Sequence, residues 1–565
     1  MAPDGGSSVA RGFSHKGITL LSGANPGLRA DRAAEAADLS EGTLCLCPSP
    51  LYGHGLDRLL ARAEAVPGCA VLCVEAEPEL LALARSHLGE ALARSPRLAL
   101  AEGASAGEVC ALARRKWGDI PFRRATTARL NGGWRLHESL YAELEKALRE
   151  EIALDWGNAL TLAKLGRRYM RNALRNLALT PLCPSLGELS FGDAPALVLG
   201  AGPSLDGALN ALAGKFGKSL EARGERPFRM VCADTCLPAL KARGITPDLA
   251  VVLESQHWNL QDFVGLSGWE APAAMDLSAL PRSGDVLGGD LRLFFTPWTR
   301  LRVFDRLAAS GLLPAALPPL GSVGLTAAAI ALRLTRGAVV ATGLDFSFTL
   351  DLFHARSSPG HSTALRRQSR IARPSCAGAA FAAGSLPATA KDGGRVFSTP
   401  ALRGYRDLFE RKFALGSSAG RFFDIEGGGL PLGLRTLSRA QAFDLLSAGA
   451  PLCSASPPPR ASEARPAAVA ESLARFAAAE TERLARLRDM LAGGSRPDCE
   501  ALGALIDECD YLWAHFPDRA AGRPRPTAAE LEAGSSATVS FLKRLRVEID
   551  PFAALLRRLE NGNLP

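Results

Sequence analysis

The apolar run Ala196-Leu197-Val198-Leu199 ends in Gly200-Ala201-Gly202-Pro203-Ser204 and passes into the amphipathic stretch LDGALNAL. Two glycines let backbone amides approach a ligand closely, Pro203 suits a first helical turn, and a helix start presents N–H groups with partial positive charge. That chemistry is the cradling of a phosphate or nucleotide. No lysine follows at the Walker spacing, so the turn is not a P-loop. A tight β–α turn needs glycine on its own account, and the turn alone leaves both readings open. A second group lies in HARSSPGHSTALRRQSRIARP, residues 354–374, with two histidines (His354, His361), five arginines (Arg356, Arg366 and Arg367 among them) and no carboxylate. Guanidinium forks match phosphate and carboxylate oxygens, so this stretch is either an anion-binding lid or a solvated mobile loop.

The elements around these residues alternate strand and helix. ALVLG, FRMVCADTCLPALKARGITPDLAVVLES and GSVGLTAAAIALRLTRGAVVATGLDFSF give strand, helix, strand and helix, strand in succession. Such alternation argues for a parallel, doubly wound sheet, whose functional groups gather at the carboxyl ends of the strands. Those positions are Gly200 to Ser204, Asp234, Glu254, and Gly343 to Asp345. An earlier βαβ unit runs through TLCLC, Gly53-His54-Gly55 and a strand ending in Glu75, an acidic residue at the spacing that meets a ribose in a Rossmann unit. Its full glycine fingerprint is absent, so a scaffold without ligand stands beside the nucleotide reading. Residues 138–180 have helical apolar spacing and join the two α/β units, with a break near residue 187 after TPLCPS. Further on, KDGGRVFSTPALRGYRDLFERKFA gives a turn and a helix, FFDIEGGG a short strand and glycine turn, SASPPPRASEARPAA a linker, and residues 468–517 and 527–560 charged amphipathic helices.

At 565 residues, with 47% hydrophobic and 22% charged residues, the chain has globular composition and is too long for one core. The net charge of +8 comes from scattered arginines and aromatics are 6%, which argues against a nucleic-acid surface and suits a small anionic ligand. No signal peptide or run of membrane-spanning length is legible, so a cytoplasmic protein without stable membrane insertion is expected. The 12 cysteines lack paired zinc spacing, and Cys45 and Cys47 in their alternating run are expected as buried reduced thiols.

LVLGAGPSL, VCADTCLPALKARGITPDLAVVLES, GSVGLTAAAIALRL, VVATGLDFSF and FHA, in that order, resemble the central domain of the motility-associated factor (Maf) flagellin glycosyltransferases, which is grouped with the 6-hydroxymethylpterin pyrophosphokinase MptE-like domain. The likeness extends through GRVFSTPALRGYRDLFE, EGGGLPLG and the N-terminal LYGHGLDRLL and VLCVEAEPE, over roughly residues 40–440. The same segments are similar to a bacterial sialyltransferase family that uses a CMP-activated nonulosonic acid. That family has Gly-Asn-Gly-Pro-Ser-Leu where this chain has Gly200-Ala201-Gly202-Pro203-Ser204-Leu205, and Ser-Gly-Val near Gly321-Ser322-Val323. Ala201 departs from the pattern by lacking an amide side chain. The resemblance implies that Gly202, Ser204 and Ser322 border the CMP moiety, within a nucleotide-binding set of Gly200, Pro203, Asp234, Gly343 and Asp345. It implies a base for the acceptor hydroxyl at His354, placed like the Maf His-Ala pair, or at His361, placed like the sialyltransferase His-Ser pair. Arg356, Arg366 and Arg367 are then partners for phosphate or a sugar carboxylate.

The expected protein is thus α/β, with two Rossmann-like doubly wound parallel-sheet domains followed by a helical C-terminal region. Residues 1–187 hold the N-terminal domain and connector, 188–445 the central MptE-like domain, 446–467 a linker and 468–565 the helices. The reaction implied is transfer of a nonulosonic acid of pseudaminic, legionaminic or sialic type from its CMP donor to Ser or Thr of flagellin, with no further cofactor and no metal. One alternative is a pyrophosphokinase using magnesium and ATP. Its carboxylates would be Asp248 and Glu254, or Asp234, Glu254 and Asp345 sharing a site across strand ends. The other is a non-catalytic flagellin-binding or scaffold protein.

Overall fold

Short apolar runs bounded by glycine turns become buried parallel strands in this chain. The computed structural model describes residues 13–21, 25–102, 105–117, 122–221, 223–287, 289–371, 373–416, 420–449, 464–492, 498–517 and 525–562. The chain divides into two compact units, Met1–Arg167 with Trp513–Phe541, and Arg168–Leu512 with Leu542–Pro565.

In the first unit, β1 (Phe13–His15) and β2 (Ile18–Leu21) form an antiparallel hairpin. Strands β3 (Thr43–Pro48), β4 (Ala70–Glu75), β5 (Leu98–Glu102) and β6 (Arg124–Thr127) form a parallel sheet in the order β5-β4-β3-β6. Every residue of β3 and β4 is buried, because helices cover both faces. Cys45, Cys47, Val71 and Cys73 pack on one side, Leu44, Leu46, Leu72 and Val74 on the other, following the period of two. Cys45 and Cys47 are unpaired and buried as expected, and burial pushes the Cys45 thiol up.

The second unit contains β7 (Ala196–Leu199), β8 (Arg229–Ala233), β9 (Leu249–Val252), β10 (Ala273–Asp276), β11 (Leu291–Phe294), β12 (Val339–Thr342), β13 (Leu386–Thr389), β14 (Arg395–Ser398), β15 (Phe422–Ile425) and β16 (Arg435–Leu437). Eight of these form one parallel sheet in the order β11-β10-β9-β8-β7-β12-β15-β16, while β13 and β14 make a separate antiparallel hairpin. The helix Val323–Leu334, rich in Ala and Leu, is buried along most of its length and packs with β7, β8, β9 and β12 in the main core. Connections run outward from β7 through β8 to β11, then return to β12 on its other side. The sheet therefore reverses its winding between β7 and β12, the position at which doubly wound folds open a ligand crevice. The α/β class with two parallel sheets agrees with the expectation.

Two boundaries differ from it. Residues 138–177 form one continuous helix, and the units divide within it, between Arg167 and Arg168, rather than near residue 187. The side chains of Asn172 and Asn176 tie its last turns to carbonyls after β9 and β10, and Ser185–Glu188 closes as a capping box inside the second unit. The C-terminal helices do not make a third compact unit. Arg306 binds the nearly inaccessible carboxylate of Glu480 and the Glu508 carbonyl, anchoring the helices Ala464–Ala492 and Cys499–Glu508 within the second unit. Most of the expected linker, residues 450–463, lies outside the described residues. Among the described residues no helix is long and apolar enough to cross a membrane.

Candidate functional site

The turns after β7 and β12 are hydrogen-bonded to each other at the reversal. Gly200 N donates to Thr342 O at 2.9 Å and Gly202 N to Gly343 O at 2.8 Å. A Cβ on Gly200 would lie 2.4 Å from Gly343 O, and one on Gly343, whose φ is +71°, 2.1 Å from Gly200 O. A Cβ on Gly202 would lie 2.5 Å from the Asp345 carboxyl carbon. The expectation that Gly202 is bare to admit a ligand is therefore corrected in its reason. The space beside its α-carbon is taken by Asp345, and a larger residue there displaces protein before it meets a nucleotide.

Asp345 is buried and binds the start of the helix Leu205–Phe216. Ser204 N donates to its Oδ2 at 2.7 Å and the Ser204 hydroxyl donates to its Oδ1. A helix-start amide that would hold a phosphate is thus already engaged by the protein's own carboxylate. Burial pushes the Asp345 carboxyl up to about 6, against the pull of the Ser204 bonds and Lys391. Behind it Lys391 Nζ binds both oxygens of buried Asp424 at 2.8 and 2.9 Å, Lys391 N donates to Gly429 O, and Leu430 N donates to Asp345 O. Phe346 holds a positive φ of 45°, with its carbonyl accepting from the Ser398 hydroxyl at 2.8 Å. The hairpin β13–β14 thereby braces the turn that carries Asp345.

The segment after β12 folds back on the glycine turn. Ala355 N donates to Ala201 O at 2.9 Å, and Arg356 N donates to the Asp206 carboxylate at 2.8 Å. His354 is half-buried, and burial holds its imidazole below the ordinary histidine range. A Cβ on Gly360 would lie 3.7 Å from His354 Nδ1, so this ring sits against the first turn of the helix Pro359–Arg367. His361 is in that turn, its N–H capped by Ser358 and its Nδ1 accepting from Ser357 N at 3.4 Å. The stretch expected as a loop or lid thus contains a capped helix, started by Ser358-Pro359. Arg366 and Arg367 are exposed in its last turn, with Arg366 Nε on Ser362 O.

Ser322 precedes the helix Val323–Leu334. A Cβ on Gly324 would lie 2.7 Å from Leu344 Cδ2, and one on Gly200 2.6 Å from the same atom. Leu344 therefore joins the Ser322 helix start to the glycine turns. Gly428 approaches from the β15 side, near Ser204. The structure thus brings together Gly200–Ser204, Ser322, Gly343–Asp345 and His354–Arg356.

Asp234 belongs to a neighbouring acidic group. It is buried, accepts from Thr235 N at 2.8 Å and from Asn259 Nδ2 at 3.3 Å, and burial, aided by Asp262, pushes it up to about 7. Asp262 is pushed up to about 6 by burial and by Glu254, which is exposed at the end of β9. Asp262, Asn259, Lys391 and Asp424 were not singled out by the sequence reading. Asp248 is drawn off to Arg226 and Arg229, a buried ion-pair cluster at the opposite ends of the strands. Among the described residues no group of three or more His, Cys, Asp or Glu side chains is gathered to hold a metal ion. The metal-sharing trio Asp234, Glu254 and Asp345 is not formed. In the first unit Glu75 accepts from the Ser49 hydroxyl at 2.7 Å and from Glu77 N at 3.0 Å, so its carboxylate is committed to the protein rather than set to meet a ribose.

Residues 167–351 match the family model described as 6-hydroxymethylpterin diphosphokinase MptE-like. An uncharacterized protein of Treponema pallidum (strain Nichols) is 29% identical over 553 residues, covering 94% of this chain and 91% of that one. The solved structure of the Maf glycosyltransferase from Magnetospirillum magneticum AMB-1 shares the fold, with a TM-score of 0.50, 15% identity, and coverage of 95% of this chain and 84% of that one. The resemblance to Maf proteins with an MptE-like centre is met on both counts. The matched MptE-like residues include both glycine turns, Asp234, Glu254 and Ser322, and end before His354 and His361.

Proposed function

We propose that this chain is a glycosyltransferase of the Maf kind, transferring a nonulosonic acid from a CMP donor to Ser or Thr hydroxyls of flagellin in the cytoplasm. One observation carries the reading: a strand-order reversal where two glycine turns, a helix start at Ser322 and a half-buried histidine converge. Because Asp345 holds Ser204 N, the donor phosphate is assigned to the neighbouring Ser322 helix start, with the ribose against Gly202 and Ser204. His354 is the assigned base. Burial keeps it neutral near pH 7, the form that accepts a proton from an attacking hydroxyl. His361 is the weaker candidate, since its Nδ1 already accepts from Ser357 N, which leaves the proton on Nε2 in the neutral ring. Arg356, Arg366 and Arg367 supply charge for the sugar carboxylate.

The family model's description favours a second reading, pyrophosphoryl transfer with magnesium and ATP. The residues present do not fit a metal of that kind, since Asp234 is turned to Thr235 and Asn259 and Asp345 to Ser204. A scaffold role without nucleotide is the third reading. Calorimetric titration with CMP, CDP and ATP, each with and without magnesium, separates the three. Metal-independent CMP binding supports the transferase, and assay of flagellin with a CMP-nonulosonate then tests it. Magnesium-dependent ATP binding overturns it in favour of the kinase, and no nucleotide binding leaves the scaffold. His354→Gln is expected to lower transfer at least about 100-fold with CMP affinity unchanged. Retained transfer would remove His354 as the base.

A further inference from the structure

Beyond the reversal, the ends of β9, β10 and β11 carry a second convergence. Tyr169, Asn172 and Asn176 are spaced i, i+3, i+7 and share one face of their helix. Asn172 Nδ2 donates to Ser255 O and Ser278 O, each at 3.1 Å, and Asn176 Nδ2 donates to Leu277 O at 2.9 Å and Ala279 O at 2.8 Å. These bonds seat that face on the loops after β9 and β10, so Tyr169 lies over the same loops. Its ring centre is 5.5 Å from that of Trp298. Burial, with Glu254 and Asp276 nearby, pushes its phenol up to about 12, so it is a hydrogen-bond donor at any working pH.

Three polar atoms on the loops after β9 and β11 are buried without a hydrogen-bond partner: Ser255 Oγ, Thr296 Oγ1 and Trp298 Nε1. Ser255 is only 2% exposed. Buried hydroxyl and indole groups are normally satisfied, and three orphans beside one aromatic pair mark a place where further donors and acceptors belong. Asp276 is not the missing partner, because its carboxylate is filled by Ser278 N, Ser278 Oγ and Thr296 N. Glu254 is exposed beside them, with one oxygen on Gln256 N at 2.9 Å. Tyr405, which lies against Gly321 beside the Ser322 helix start, is within electrostatic reach of the Tyr169 phenol.

We propose that Tyr169, Trp298, Ser255, Thr296 and Glu254 form a sugar subsite. A pyranose ring sets its apolar face against the aromatic pair and its hydroxyls on the serine, threonine, indole N–H and carboxylate. The proposal deepens the transferase reading and rests on it for its place in the reaction. The sugar is either the donor's own or part of a glycan acceptor, and both present the same ring chemistry.

The test compares the wild type with Ser255→Ala and Trp298→Phe, the second keeping an aromatic ring while removing the donor. Folding is checked by thermal melts. Affinities for CMP and CMP-N-acetylneuraminic acid are measured by calorimetry. Saturation-transfer NMR is run with methyl β-galactoside and N-acetylneuraminic acid, with and without CMP. If the subsite takes the donor sugar, the wild type binds CMP-sugar at least about tenfold tighter than CMP, and both variants bring the ratio toward one without changing CMP affinity. If it takes an acceptor glycan, the ratio is near one and methyl β-galactoside receives saturation that the variants lose. No sugar signal in the wild type, or signals that survive in both variants, overturns the subsite. Failure of CMP to bind while a sugar signal persists overturns the nucleotide reading and leaves the subsite standing.

Discussion

The two sheets reverse their winding in the same way, and at each reversal a serine following the first strand binds a carboxylate. Ser49 Oγ donates to Glu75 at 2.7 Å in the first unit, and the Ser204 hydroxyl donates to Asp345 in the second. The carboxylates arrive from opposite sides. Glu75 ends β4 and spends its other oxygen on Glu77 N in its own loop, whereas Asp345 comes from across the reversal and takes a helix-start amide. The glycines also differ. Gly53 sits at φ +76°, a conformation other residues resist, with room for a side chain, and Gly55 combines the same φ with the Ala30 backbone 2.7 Å from where a Cβ would lie, while Gly200 and Gly202 are bare because a second turn presses against them. At its first glycine the same Gly-x-Gly spelling answers a conformational need in one unit and a spatial need in the other, so the motif alone does not identify a ligand cradle.

The contrast is most sharply broken at Lys391, since Glu75 lacks the buried ion pair that backs Asp345. Lys391→Ala leaves Asp424 buried and unpaired and should lower the stability of the second unit by about 3–5 kcal/mol in chemical denaturation. A loss below about 1 kcal/mol would mean that Asp424 is hydrated and that Asp345 needs no such backing.

Next comes pH. Asp345 in the fold titrates at about 6, above its ordinary 3.8, so between those values the folded state holds more protons than the unfolded chain. Its contribution to stability is greatest at low pH, falls as pH rises through that window, and is level above it. Asp345→Asn should remove a fall on the order of 2–3 kcal/mol between about pH 4 and 6. Other raised carboxyls, Glu75, Asp234, Asp262, Asp276 and Asp424, remain in both proteins, so the measurement is the difference between the two thermal-melt profiles. Parallel profiles would show that Asp345 is not the group that titrates there.

The smallest effects distinguish the two kinds of glycine. Gly202→Ala should cost about 2 kcal/mol and lose at least about 0.5 kcal/mol of that in an Asp345→Ala background, because the clash is with that side chain. Gly53→Ala should cost about 1 kcal/mol, and Gly53→Asn less, since asparagine tolerates a positive φ. Equal losses for Ala and Asn at Gly53 would remove the conformational account.

Much of the site's framework was legible in the sequence, because β4, β7, β9 and β12 are short apolar runs ended by glycine or acidic residues, and β3 is one ended by Pro48-Ser49-Pro50. What those residues touch was not legible. Nothing local in GAGPS shows that Asp345 fills the helix start, since that bond joins segments brought together only by the strand order. The hairpin β13–β14 is four residues a strand with a proline in one, too short for its alternation to stand out, and with it Lys391 was missed. Asp262 sits in the 3₁₀ helix His257–Phe263 after β9, whose sequence carries neither strand alternation nor α-helical spacing. The helix Pro359–Arg367 was hidden by its arginines and flanking serines, although Ser358-Pro359 is a helix-start signal.

The seam between Gly200 and Gly343 bears on how this chain can change over generations. Each glycine excludes a side chain because of the other's carbonyl, so a substitution in either turn is tolerated only with a matching shift in its distant partner. The two turns are therefore one steric unit. Ala201, between the two glycines of the first turn, answers to a different constraint: its carbonyl accepts from Ala355 N and so ties the turn to the segment that carries His354.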